Sequence, residues 1–209
     1  LEGGAHVVEG LQALRGIWPH LLAAWRAHQG QPDVPALRYL NIFPDAIAYV
    51  LDLQVPPRER VAFLQAALRA SRSLGDRGGE GRHLGNLGAA YWALGEVRRA
   101  IGFYEGALAI SREIGDRRGE GTRLGNLGLA YAALGETRRA IEFYAQALAI
   151  SRKIGDRGGE GNLGNLGLAY AALGEVRRAI GFYEGALAIS REIGDRRNEG
   201  AWLGNLGIA

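Results

Sequence analysis

The feature that most constrains this chain is that it repeats itself. From residue 75 a block of 40 residues recurs: GDRGGEGRHLGNLGAAYWALGEVRRAIGFYEGALAISREI over 75–114, then GDRRGEGTRLGNLGLAYAALGETRRAIEFYAQALAISRKI over 115–154. A third copy, 155–193, is one residue shorter, and a fourth starts at Gly194 and reaches Ala209. Near-identical units cannot share one irregular core, because each must offer its neighbours the same faces; such units stack in a line.

Inside each copy the apolar residues recur at helical spacing. Leu84, Leu87, Tyr91 and Leu94 make one stripe, and Ile101, Tyr104, Leu108 and Ile110 a second, so two amphipathic helices per copy are expected. Gly95 and Gly115 stand where left-handed glycines end helices, and Asp116 where a side chain caps the next. Gly88, Ala90, Ala100 and Ala107 are small where the two helices approach. Gly85, Gly102 and Gly106 fall in helix interiors, each at a cost of ~1 kcal/mol relative to alanine, which predicts a soft array.

Residues 159–164, GEGNLG, fit the G-x-G-x-x-G pattern of dinucleotide-binding loops, but only because the third copy lacks one residue. The equivalents GEGRHLG and GEGTRLG do not fit, and no strand precedes them. No nucleophile beside a histidine, no lysine-bearing phosphate loop and no recurring carboxylate pair is present, so the segment is expected not to be an enzyme and to need no cofactor. With no cysteine, and with His6, His20, His28 and His83 at no ligand spacing, no metal site is expected. Charge does not build a basic stripe: the first three copies carry five, seven and four basic residues against five, four and five acidic ones. Nucleic acid is therefore not the expected partner, and pairs such as Arg138 with Glu142 and Glu113 with Arg117 suit solvated helix faces. No apolar run reaches the ~20 residues that span a bilayer, and no signal peptide is evident, so a cytoplasmic setting without membrane is expected. The absence of methionine suggests a piece of something longer.

The order L-x-x-L-G-x-A-Y, then L-G, then A-I-x-F-Y-x-x-A-L, resembles the tetratricopeptide repeat. In the first copy it falls on Leu84, Leu87, Gly88, Ala90, Tyr91, Leu94, Gly95, Ala100, Ile101, Tyr104, Ala107 and Leu108. The family's common length is about 34, with a proline near the end of the repeat. The longer form here, with G-D-R-x-G-E-G between copies, is similar to kinesin light chains and bacterial signalling proteins. The resemblance implies an all-α, right-handed α-solenoid of helix-turn-helix repeats. Divided accordingly, the chain has a divergent helical cap or adaptor at 1–53 and the second helix of a degenerate repeat at 54–74. Three repeats follow at 75–114, 115–154 and 155–193, then the first helix of a fourth at 194–209. Before residue 54, two helices over 6–28 are expected to carry Trp18 and Trp25 on apolar faces. A degenerate first helix is expected over Pro44–Leu53, with Pro44 in its first turn. The stretch 44–77 resembles the entry into the repeat array of bacterial STAND proteins, signalling NTPases with an NB-ARC-type nucleotide-binding domain.

In this family the first helices line a concave groove. The resemblance thus assigns ligand contacts to Arg82, Gly85, Asn86, Ala89 and Trp92, and to Thr122, Gly125, Asn126, Leu129 and Ala132. The later copies offer Gly164, Asn165, Leu168 and Ala171, then Gly204, Asn205 and Ile208. The ladder Asn86, Asn126, Asn165 and Asn205 has two readings: amides that grip a peptide backbone, or amides bonded to the neighbouring repeat. Trp92, replaced by Ala132 and Ala171 in later copies, is either a partner's anchor or a packing residue, and Trp202 is similarly open. Only Arg82 places a charge near the ladder, which argues against the terminal-carboxylate clamp of co-chaperone relatives. The expected function is recognition of a protein or peptide ligand on the concave face. By resemblance the segment is the sensor arm attached to an upstream nucleotide-binding domain. A non-switching scaffold, and self-association through the last half-repeat, are the alternatives.

Overall fold

The computed structural model describes residues 19–20, 22–28, 33–46, 56–156 and 160–208, and these are helices joined by short turns, with no strand among the described residues. Two compact units divide at Glu80 and Gly81.

In the first unit, residues 22–28 are helical, followed by α1 (Val34–Ala46) and α2 (Pro57–Leu74). Asp33 Oδ1 accepts from the Ala36 amide at 2.8 Å, starting α1 with Pro35 in its first turn. Leu40 and Phe43 then pack in one cluster with Trp25 and with Phe63, Ala66 and Ala70 of α2; the Trp25 and Phe63 ring centroids lie 4.2 Å apart. This corrects the expected place of Pro44 in the first turn of a helix. The helix begins ten residues upstream of it, at Val34, and carries Pro44 inside it, near its end. The apolar spacing of Leu37, Leu40 and Phe43 drives burial of this earlier segment. Residues 47–55, Trp18 and the expected helix before residue 19 lie outside the described residues.

The second unit takes the rest of α3 (Arg77–Ala93) and α4 (Val97–Glu113), α5 (Arg117–Ala133), α6 (Thr137–Ile154), α7 (Glu160–Ala172), α8 (Val176–Ile193) and α9 (Arg196–Ile208). From α4 onward each helix packs on its chain neighbours. Every turn is built alike. Gly75, Gly95, Gly115, Gly135, Gly155, Gly174 and Gly194 all take φ between 66° and 77°, which an L side chain resists. At Gly115, the Gly115 amide donates to Arg112 O at 3.3 Å and the Asp116 amide to Ser111 O at 2.9 Å, satisfying the last carbonyls of α4. Asp116 then caps α5 by accepting from the Gly119 amide at 2.9 Å, as Asp76 does from Gly79 at 2.8 Å.

The G-D-R-x-x-E linker does more than punctuate. Glu120, 5% exposed, accepts from Arg112 Nε at 2.9 Å and from Arg117, bracing the end of α4 against the start of α5. Glu80 is held in the same way by Arg72 and Arg77, and Glu199 by Arg191 and Arg196. Burial alone would push the Glu80 carboxyl up, but the hydrogen bonds from Arg72 and Arg77 prevail and hold it below the usual range.

Within a repeat, glycine brings the two helices together. A Cβ on Gly88, Gly128 or Gly167 would lie 2.4–2.5 Å from ring carbons of Tyr104, Tyr144 or Tyr183. These tyrosines are buried beside Ala100, Ala107 and their equivalents, and burial pushes the Tyr144 phenol up to about 12. At the other end of each pair, Tyr91 stacks on Phe103 at 5.1 Å, Tyr131 on Phe143 at 5.2 Å and Tyr170 on Phe182 at 5.3 Å. Arg99, Arg139 and Arg178 lie over these tyrosines and pair with Glu96, Glu136 and Glu175. Arg138 and Glu142 form no ion pair among the described residues; Arg117 pairs forward with Glu120.

The residue missing from the third copy leaves the rest of its first helix in register. Leu163 and Leu166 are buried like Leu124 and Leu127, and Gly167 meets Tyr183 as Gly128 meets Tyr144. Gly161 has turned outward to the place of Thr122: it meets nothing within 4 Å, whereas Gly121 abuts Ile150.

Candidate recognition surface

The first helices of the second unit, α3, α5, α7 and α9, bury Leu87, Leu127 and Leu166 toward the second helices. The opposite face of these helices carries the residues assigned to the groove. Arg82, Ala89 and Trp92 are exposed on α3; Thr122, Leu129 and Ala132 on α5; Leu168 and Ala171 on α7. Leu129 and Leu168 leave 42% and 49% of their surface in solvent, and Trp92 38%. The side chain of Ile208 lies outside the described residues.

Asn86, Asn126, Asn165 and Asn205 are all half-buried along this face. Among the described residues their side chains make no hydrogen bond, to the neighbouring repeat or otherwise. A half-buried amide with two donors and an acceptor unspent is costly unless water or a ligand engages it. Asn126 and Asn165 meet in a pocket of about 240 Å³ between α5 and α7, lined also by Thr122, Leu129, Asn162 and Arg118. Thus the structure brings together the middle of the assigned set.

Sequence reasoning missed the contact that sets the spacing of the first helices. Each ladder asparagine follows a glycine, and onto the first three of these glycines the next repeat lays one side chain. Arg123 covers Gly85, Asn162 faces Gly125, and Trp202 covers Gly164; the positions a Cβ would take lie 2.2, 3.1 and 1.9 Å from them. Gly85 is therefore a socket, not a soft point. Trp202, 8% exposed, is a packing residue that also stacks on Tyr183 at 6.3 Å. Arg123 brings a second cation to this layer. Burial draws its guanidinium down from the usual value, against the pull of Tyr104 and Asp116, and its Nε is buried without a hydrogen-bond partner. The signal was the triplet spacing R-L-G, N-L-G, W-L-G, whose first residue varies while the glycine does not.

Among the described residues no group of three histidines or carboxylates could hold a metal ion, and no helix is long and apolar enough to cross a membrane.

Two family models, each described as tetratricopeptide repeat, match residues 81–153 and 163–197. No curated protein matches the chain. Among solved structures, BtubC (BKLC) from P. vanneervenii is similar at 22% identity and TM-score 0.72, over 93% of this chain and 80% of that one. A putative kinesin light chain with nearly identical TPR-like repeats from Podosopora anserina aligns at 22% identity and TM-score 0.66, over 83% and 85%. The apo form of RapI aligns at 16% identity and TM-score 0.74, over 97% and 75%. At these identities the likeness is one of fold, and it agrees with the helix pairs, glycine turns and tyrosine-glycine contacts described above: this chain is an all-α protein carrying tetratricopeptide repeats, a fold of protein-interaction modules.

Proposed function

We propose that the chain is a recognition module that holds a protein or peptide segment against its first-helix face, as the sensor arm of a larger bacterial STAND signalling NTPase. The observation that carries the reading is the row of asparagine amides, one per repeat, left without hydrogen bonds beside exposed Leu129, Leu168 and Trp92. An extended backbone offers a donor and an acceptor at every residue, which such amides satisfy, while the leucines and the tryptophan receive its side chains. The ligand's differential affinity for two pitches of the array would shift the attached nucleotide-binding domain.

Peptide-library selection on the array tests the binding step. Selected peptides are expected to lose at least tenfold in affinity when Asn126 and Asn165 are both changed to alanine; undiminished binding would reject the face. The attachment is tested on the parent gene, where a G-x-x-x-x-G-K-[ST] segment in an upstream domain is expected. An upstream region without one would leave a scaffold.

A further inference from the structure

We propose that the groove between the second helices α6 and α8 is a separate binding site, for a small amphiphilic anion with an apolar body and a single carboxylate- or sulfonate-type head. The groove encloses about 700 Å³, within the ~300–1,000 Å³ of small-molecule sites. Leu148, Leu163, Phe182 and Ile189 form its apolar lining. Its space comes from Gly181 and Gly185: a Cβ on the first would meet nothing within 4 Å, and on the second only Leu163 at 3.7 Å. The preceding second helix carries Glu142 and Gln146 at the same two positions, so the repeat itself supplies the side chains that would close the site.

Charge at the rim selects an anion. Arg152, Arg177 and Arg178 stand there with Asp156 and Glu192. Arg178 is committed to Glu175 at 2.9 Å and to the Tyr170 ring, and Asp156 lies 3.8 Å from Arg118. Arg177 is exposed and has no ion-pair partner among the described residues, which leaves it to meet the ligand's head. The lining is confined to one pair of neighbouring repeats, which suits a compact ligand better than a chain running along the array.

Anilinonaphthalene sulfonate, an apolar ring system with one anionic head, is the probe. The whole chain is expected to bind it at one saturable site, read by blue-shifted fluorescence, and decanoate is expected to displace it. Gly181→Glu with Gly185→Gln should weaken binding by at least tenfold while the melting temperature holds or rises, because both replacements favour the helix. Arg177→Ala should weaken binding several-fold at unchanged melting temperature. A wild-type chain without a saturable site, or a glycine-filled variant that binds as well as wild type, would overturn the proposal.

Discussion

Replacing glycine by alanine at two helix-interior positions should have opposite effects, and the difference measures how closely the helices of a repeat approach. At Gly128 the new methyl would sit 2.5 Å from Cδ1 and Cε1 of Tyr144, a side chain 2% exposed with no room to withdraw. Overpacking of this kind costs about 1–3 kcal/mol, and the gain in helix propensity returns about 1 kcal/mol, leaving a net loss of up to about 2 kcal/mol. At Gly102 the methyl would meet nothing within 4 Å, so only the propensity term acts and the variant gains up to about 1 kcal/mol. Urea denaturation followed by circular dichroism reads the global change. Native-state hydrogen exchange in α5 and α4 reads the local one, since a stacked array opens in segments. Equal effects at the two positions would refute the account of how these helices pack.

Other outcomes follow from the turns and the face. Asp116→Ala removes the cap on Gly119 and should cost about 1 kcal/mol, read as faster exchange in the first turn of α5. Folding holds the Glu80 carboxyl below its ordinary value of 4.5, so the unfolded chain takes up the proton more readily. Stability is then fully present above pH 4.5 and falls as the pH drops below it, and Glu80→Gln should flatten that part of an acid titration. Trp92→Ala should change stability by less than about 1 kcal/mol, because the ring is already 38% exposed, while weakening library-selected peptides. Arg123→Leu should raise stability by about 1 kcal/mol by removing a buried Nε without a partner, read as a higher urea midpoint.

What could be read from sequence was whatever depends on position along one helix. The stripes Leu84, Leu87, Tyr91 and Ile101, Tyr104, Leu108 are buried as their spacing requires, and Gly95 and Gly115 take the left-handed turns expected of them. Contacts between repeats were not legible in the same way. Gly85 reads as a weak point in a helix until Arg123, nearly one period later, is seen to fill its vacancy. The bracing of Glu120 by Arg112 and Arg117 was present as a spacing, but its sense depends on how two helices meet across a turn. Pro44 misled for a related reason: proline favours the first turn, yet burial of Leu40 and Phe43 against α2 outweighs that preference and extends the helix through it. Of the groove residues, the outward place of Leu129 and Leu168 followed from the family resemblance, whereas the unspent hydrogen bonds of the asparagines required coordinates.

The central claim is that a partner is held by the first helices. Hydrogen–deuterium exchange of the array with and without a library-selected peptide tests it most directly. The account predicts new protection over residues 82–92, 122–132 and 161–171, with α4, α6 and α8 unchanged. Protection confined to those second helices would contradict it.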